Sequence, residues 1–338
     1  MNILVTGGAG YIGAHCCREL ARRGFHPLVY DNLAKGHREH VRWGEFFEGD
    51  IGDADRLDDV CSRHRIAAVM HFAAFIEVGE SAADPLKYYA NNVAGSLQLI
   101  RAMARHGIRP IVFSSSAAVY GTPQQVPIDE EHPTRPLSPY GRTKLMVEQV
   151  LADCERSHGL RWMALRYFNA AGADPAARIG EWHDPESHLI PRILDAALDG
   201  GRPVHVYGTD YPTADGSCIR DYIHVADLAR AHVLALERLL AGSGGGAFNL
   251  GQGRGYSVLE VIRQAERITG RPLSIQTGPR RPGDPPALIA SNRKALDLLG
   301  WAPEQSSLEN IIASAWKWHC TLKKTVPGAR HIAQGQAE

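Results

Sequence analysis

Met1-Asn2-Ile3-Leu4-Val5-Thr6-Gly7-Gly8-Ala9-Gly10-Tyr11-Ile12-Gly13 opens the chain, and its reading decides the fold. Ile3, Leu4 and Val5 form a continuous apolar run, the pattern of a strand buried on both faces, and a glycine-rich turn and then a helical pattern follow at once. In such a unit Gly7 permits the tight turn, Gly10 lets backbone approach a pyrophosphate, and Gly13 lets the helix pack closely on the strand. The helix start offers N–H groups and its positive dipole end to the phosphates. A glycine triplet alone also fits any tight strand-to-helix turn, so the confirming context is a second strand ending in an acid. Phe25 to Tyr30 supplies the strand, and Asp31, eighteen residues after Gly13, supplies a carboxylate for both hydroxyls of an adenosine ribose. That carboxylate repels a 2′-phosphate, and Asn32, Leu33 and Ala34 bring no arginine to receive one. NAD rather than NADP is the expected cofactor.

The 338 residues suffice for two domains, or for one large domain with an appended lobe. Lys and Arg total 37 against 37 Asp and Glu, so no net charge draws the chain to nucleic acid or to an anionic membrane. No basic leader precedes the first strand and no apolar stretch is long enough to span a bilayer, so a cytoplasmic protein acting on a small molecule is expected. The six cysteines, at 16, 17, 61, 154, 218 and 320, show no C-x-x-C spacing and read as reduced, structural thiols. The 16 histidines show no H-E-x-x-H or similar spacing, and no metal site is expected.

From Gly13 to about Arg166, short apolar runs alternate with longer amphipathic ones, as in a doubly wound parallel α/β sheet of the Rossmann type. Strands are expected at Ile3–Thr6, Pro27–Asp31, Glu45–Gly49, Ala68–Phe72, Pro110–Ser115 and Arg161–Tyr167, and helices at Tyr11–Arg23, Ala54–His64, Pro85–His106 and Pro139–Ser157. Asp50 and Ile51 either face the adenine edge or, for Asp50, cap the next helix. Beyond Arg166 the alternation lapses into loops rich in Gly, Pro, His and Asp, and loops of this kind on a rigid scaffold are where substrates are met. Arg220–Leu240 reads as a strand and a helix rejoining the first sheet. The expected division is a dinucleotide-binding domain of residues 1–166 plus about 221–250, a smaller mixed α/β substrate lobe of about 167–220 plus 251–325, and a tail at 326–338.

Ser138-Pro139-Tyr140-Gly141-Arg142-Thr143-Lys144 carries the chemistry. Four residues make about one helical turn, so Tyr140 and Lys144 share a face, and a nearby ammonium is expected to lower the phenol's pKa and make it a general base. Alone, this spacing is common on solvated helices. Ser114-Ser115-Ser116, however, ends an apolar strand at the carboxyl edge of the sheet, where a hydroxyl holds a substrate oxygen beside the phenol or, alternatively, merely caps a helix. With the dinucleotide cradle, these residues compose a hydride-transfer site.

The ordered set of motifs, from Thr6–Gly13 through Phe113–Tyr120, Ser138–Lys144, Arg166-Tyr167-Phe168-Asn169 and Arg220–Val225 to Arg280–Asp284, resembles the extended short-chain dehydrogenase/reductases and, within them, the UDP-hexose 4-epimerases. The resemblance runs over nearly the whole chain. It implies a tightly held NAD that is reduced and reoxidised in each turnover, contacted by Gly7, Gly10, Tyr11, Ile12, Gly13, Asp31, Asn32, Asp50, Ile51, Phe72, Ala73, Ala74, Asn91, Ser114, Tyr140, Lys144 and Tyr167. Tyr140 would take the proton of the sugar 4-hydroxyl, assisted by Ser116, with Lys144 completing the catalytic trio. Asn169, Arg220 and Arg281 would hold the diphosphate, Tyr207 the uracil and Asp284 the uridine ribose, while His188, Leu189, His205 and Leu288 would complete the UDP-sugar site. For Arg220 an ion pair with Asp221 or Asp227 is the alternative, and for Leu288 it is burial in the core of the small lobe.

His188 precedes Leu189-Ile190-Pro191 where many resembling enzymes carry an asparagine, and Ile76 stands where some carry a lysine. A homodimer is implied, formed by the helices of Pro85–His106 and Pro139–Ser157. The same catalytic residues serve a UDP-pentose or a UDP-N-acetylhexosamine. A 4,6-dehydratase would need an acid after Ser116, where Ala117 and Ala118 stand, and a non-catalytic NAD-binding protein would not need the trio.

Overall fold

The apolar run after Met1 becomes β1 (Asn2–Thr6), fully buried from Ile3 onward, and the turn delivers the chain into α1 (Tyr11–Arg22). The structure, a computed structural model, describes residues 1–281 and 283–325; the expected tail at 326–338 lies outside them. The chain continues through β2 (His26–Asp31), β3 (Glu45–Glu48), α2 (Ala54–Arg63), β4 (Ile66–His71), α3 (Val78–Ala83), α4 (Pro85–Tyr88), α5 (Ser96–Arg105), β5 (Pro110–Ser114), α6 (Pro139–His158) and β6 (Arg161–Tyr167). Then follow β7 (Asn169–Ala171), α7 (Leu189–Asp199), β8 (Val204–Tyr207), β9 (Ile219–His224), α8 (Val225–Leu240), β10 (Gly246–Leu250) and β11 (Gly255–Ser257). The last elements are α9 (Val258–Thr269), β12 (Ile275–Gly278), β13 (Ala287–Leu288), α10 (Arg293–Leu299) and α11 (Leu308–Thr325).

Seven parallel strands form the main sheet in the order β10-β6-β5-β4-β1-β2-β3. The order reverses between β1 and β4, the switch point outside whose carboxyl ends a doubly wound sheet binds its ligand. One core, with α1 and α8, covers one face of this sheet; a second, with α2, α5 and α6, covers the other. A third core gathers α7, α9 and α11 around β8 and β9 in the smaller lobe, while Ala295, Leu299 and Trp301 return to the first core.

Three expectations need correction. The helix foreseen over Pro85–His106 is not continuous: Tyr89–Gly95 winds as a π-helix between α4 and α5. The Ser96 hydroxyl donates to the Asn92 carbonyl at 2.5 Å, and the Asn92 side chain leaves the helix to bond Phe75 and Thr143. Such side-chain competition for backbone groups is what widens a helical turn. Secondly, β9 does not rejoin the main sheet. It pairs with β7, β11 and β13, anchored by the buried Asp221 carboxylate, which accepts from the N–H groups of Gln252, Gly253 and Ala290; only α8 packs back on the main sheet. Finally, Asp53 rather than Asp50 caps α2, accepting from Arg56 N at 3.0 Å.

Beneath the carboxyl edge lies a buried ion pair. Arg166 of β6 grips Glu148 of α6 at 2.5 and 3.0 Å, and Glu148 also accepts from the Ser115 hydroxyl at 2.5 Å. Arg166 further donates to the Tyr120 hydroxyl, which donates to Asn249 at 2.7 Å. Removing one partner of such a pair strands the other charge away from water. Arg166→Met is therefore expected to lower the unfolding free energy by about 3–5 kcal/mol, measured by urea denaturation; a loss below about 1 kcal/mol would show that the pair is not structurally required.

Candidate active site

Glycine is imposed on the cradle by space as well as by turn geometry. A Cβ on Gly7, whose φ is +73°, would lie 2.5 Å from Ala73 N, and one on Gly13 would collide with the Gly7 carbonyl. Bare backbone therefore runs from β1 into the open start of α1, the surface a pyrophosphate requires, and the residues present fit a dinucleotide. Asp31, at the end of β2, accepts from Ala9 N at 3.0 Å and Leu33 N at 2.9 Å and keeps acceptor capacity for ribose hydroxyls. Asn32 donates to Asp50 at 2.6 Å, so the two expected adenosine-side residues form one wall.

Other expected cofactor residues touch the cradle mainly through backbone. The Tyr11 hydroxyl donates to the Gly172 carbonyl at 2.6 Å, the Ile51 side chain is buried in the second core, and Phe72 packs in the first. Phe72 N and Ala73 N bond Thr6 O, bringing the Ala73-Ala74 segment over the turn. Asn91 donates to Asn92, and it is Asn92, absent from the sequence-based set, that ties the Phe75 loop to Thr143 on the catalytic helix.

The expected catalytic residues come together where β5 meets α6. Tyr140, Lys144 and Glu148 stand one turn apart on the buried face of α6, and each meets one of the three serines. Lys144 Nζ donates to the Ser114 carbonyl at 2.8 Å, Ser115 bonds Glu148, and Ser116 is close enough to hydrogen-bond the Tyr140 phenol. The Ser114 hydroxyl pairs with Tyr167 at 2.7 Å. Ser116 also accepts from Ala118 N, so the capping role and the site role coincide. Glu148 was missed in the sequence, although its spacing, four beyond Lys144, was readable there.

The electrostatics correct one expectation. Lys144 does not lower the phenol: its ammonium lies 5.8 Å from the Tyr140 ring centre and points to the Ser114 carbonyl. Burial pushes Tyr140 up to about 12, against a smaller downward pull from the Ser116 hydrogen bond. Burial also brings Lys144 down to about 7, against the opposing charge of Glu148. Desolvation wins in both because each side chain is enclosed by β5, α6 and β6.

Of the residues expected on the substrate side, Asn169, Arg220 and Leu288 lie on the second sheet, which β7 joins directly to the end of β6, while His205 and Tyr207 lie on β8 of the separate β8–β12 pair. Asn169 donates to the Asp221 carbonyl at 3.0 Å. Arg220 pairs neither with Asp221 nor with Asp227; its partner is Asp284, so two expected uridine-diphosphate contacts satisfy each other. Arg281 stacks on the Tyr207 ring at 4.3 Å, and the His205 ring lies 6.1 Å from that ring. Leu288 pairs in register with Arg220 and packs against the cluster of Val119, Tyr120 and Ile128, which Ala117 also joins, rather than in the core of the small lobe. His188 precedes α7, held by Glu181 at 2.8 Å, and Leu189 packs in the small lobe.

These features are those of a dinucleotide-dependent enzyme, and residues 3–251 match the model of the NAD dependent epimerase/dehydratase family. The chain belongs to that family and uses NAD. It is 55% identical over 318 residues to a UDP-glucose 4-epimerase of Rhizobium leguminosarum bv. trifolii, spanning 94% of this chain and 97% of that one. Among solved structures, the Brucella ovis UDP-glucose 4-epimerase in complex with NAD superposes with a TM-score of 0.92 at 51% identity, covering 94% of this chain and 97% of the other. The Bifidobacterium longum enzyme in complex with NAD+ and UDP gives 0.91 at 38% identity, covering 98% and 100%.

Burial brings the Lys144 ammonium to lose its proton near pH 7, whereas the Tyr140 phenol keeps its own to about 12. With both protons in place, the pair cannot accept one from a substrate hydroxyl. The value of kcat/KM should therefore rise with pH through an apparent pKa of about 7, and Tyr140→Phe, folded and still binding NAD, should lose at least about a hundredfold in rate. A flat profile across that range, or a near-normal Tyr140→Phe, would remove the pair from the proton path.

Proposed function

We propose that this chain interconverts UDP-galactose and UDP-glucose by NAD-dependent 4-epimerisation. The observation that carries the reading is the docking of Ser116, Tyr140 and Lys144 at the carboxyl edge of the sheet, next to the glycine cradle. Bound NAD supplies reversible acceptance and return of the sugar C4 hydride, so no net oxidation occurs. Ser116 orients the 4-hydroxyl, and the Tyr140–Lys144 pair takes its proton and later gives it back. Gly7, Gly10 and Gly13 with the start of α1 hold the pyrophosphate, and Asp31 holds the adenosine ribose.

Arg220, Arg281 and Asn169 grip the substrate diphosphate, with Tyr207 at the uracil and Asp284 at its ribose. Planar guanidinium groups suit that task. Entry of the substrate exchanges the Arg220–Asp284 pair for contacts to the nucleotide, and this grip on one end leaves the 4-keto sugar free to turn. His188 and Leu189 border the same crevice. Leu288, in register with Arg220 and packed against the Val119–Tyr120 cluster that follows Ser116 in the chain, bounds the sugar and cannot hydrogen-bond an acetamide, which favours a plain hexose over an N-acetylhexosamine.

We further propose a homodimer built on the Pro85–Arg105 segment and α6, where Leu86 is 78% and Met146 39% exposed. Light scattering at the monomer mass would refute it. No helix among the described residues is long and apolar enough to cross a membrane, and all six cysteines are free, in keeping with a reducing cytoplasmic setting.

A panel of UDP-sugars, incubated without added NAD and resolved by product, tests the activity. UDP-galactose should yield UDP-glucose, the denatured enzyme should release its dinucleotide, and UDP-N-acetylgalactosamine should react slowly. Leu288→Ser should raise the ratio of N-acetyl to plain hexose turnover and Leu288→Tyr lower it. If no UDP-glucose forms, or if NAD is consumed one for one, the epimerase reading fails; a ratio unmoved by either substitution removes Leu288 from selectivity.

A further inference from the structure

The loop between β7 and α7 brings Glu181, His183, Glu186 and His188 together, with one ligand atom of each within 4.8 Å of all the others. His188 Nδ1 lies 2.8 Å from a Glu181 oxygen and 3.4 Å from one of Glu186. His183 Nδ1 lies 3.5 Å from an oxygen of each. Two imidazole nitrogens and two carboxylates thus alternate around one point. With bonds of about 2.0–2.2 Å to a tetrahedral ion, neighbouring donor atoms stand about 3.3–3.6 Å apart; His183 Nδ1 stands at that distance from both carboxylates, and His188 Nδ1 from the other oxygen of Glu186, separations that are long for charged hydrogen bonds.

A second observation points the same way. His183 Nδ1 is buried between the two carboxylates and has no hydrogen-bond partner. The side chains of Glu181 and Glu186 are only 6% and 7% exposed and face His183 and His188; a divalent cation held by the neutral imidazoles would take over the balancing of these two carboxylates. The His188 side chain, 46% exposed, leaves a path of entry.

We propose that these four residues bind a first-row divalent cation, with Zn2+ the best chemical match. Magnesium and calcium select oxygen donors, whereas two imidazoles with two carboxylates suit zinc, and four protein ligands make a closed, structural site. The expectation of no metal rested on the spacings of helical zinc motifs; here Glu-x-His-x-x-Glu-x-His lies in a loop. The same loop is fastened to the dinucleotide-binding domain: Trp182 stacks on His37 at 3.6 Å and Lys35 donates to the Asp184 carbonyl. It is also fastened to α11, where Trp318 Nε1 donates to the Glu181 carbonyl at 2.8 Å. The bound ion makes this segment a clasp across the start of α1, and the proposal is independent of the sugar the enzyme turns over.

The test uses tag-free, NAD-containing protein, stripped with a chelator and then titrated with Zn2+ and with Co2+ as a spectroscopic probe. Elemental analysis should find one Zn2+ per chain, Co2+ should give the strong visible bands of tetrahedral coordination, and Zn2+ should displace it. Zn2+ should raise the melting temperature of the wild type. His183→Ala and Glu186→Gln, checked for native circular dichroism, should bind at least about a hundredfold more weakly, since even loss of an outer-shell partner costs 10–100-fold. A wild-type protein that takes up neither ion, weak six-coordinate Co2+ bands, or unchanged binding in both variants would overturn the proposal. The wild-type spectrum decides the question even if neither variant folds.

Discussion

The buried contact between Arg166 and Glu148 is the constraint on which the catalytic edge depends. It joins β6 to α6 underneath the site, and Glu148 passes the constraint to β5 through the Ser115 hydroxyl. Because Tyr140, Lys144 and Glu148 follow one another by single helical turns, fixing the last of them fixes the height of the other two against the serines. The enclosure that positions the pair also removes water from it. That is why burial, more than any neighbouring charge, sets the proton affinities of Tyr140 and Lys144.

A second thread of polar contacts ties the cradle to this helix. Thr6, at the end of β1, bonds His71 at 2.7 Å, and His71 bonds Ser96 at 2.8 Å. Ser96 bonds the Asn92 carbonyl, and the Asn92 side chain reaches Thr143, the residue before Lys144. The buried polar groups are satisfied in sequence, and the π-helical turn at Tyr89–Gly95 is the backbone distortion that permits it. The end of β1 and the helix that carries Tyr140 and Lys144 are thereby held in one frame although they are distant in sequence.

The smaller lobe is organised by different means. Only Phe168 separates β6 from β7, so the second sheet starts at the catalytic edge, and the buried Asp221 carboxylate gathers the backbone of two further loops around β9. Arg220, Leu288 and Asp284 come together through the pairing of β9 with β13 and the ion pair beside it. The loop carrying Glu181 to His188 then crosses back to α1, so the two lobes meet over the cradle through His37, Trp182 and Trp318.

The dinucleotide-binding half was legible in the sequence because its signals are local. An apolar run, a turn that only glycine fits, an acid at the end of the next strand and two residues one helical turn apart all follow from backbone sterics and helical period, and β1, α1, β2 and α6 fall within a residue or two of their expected limits. Contacts between distant segments were not legible. Asn92 as the link to Thr143, Asp284 rather than Asp221 as the partner of Arg220, β9 in a second sheet, and the gathering of two histidines with two glutamates in a loop each depend on where the chain returns in space. The proton affinities of Tyr140 and Lys144 belong with them: sequence spacing places the two groups on one helix face, but only tertiary packing determines how much water is removed from them, and that desolvation is the largest influence on each.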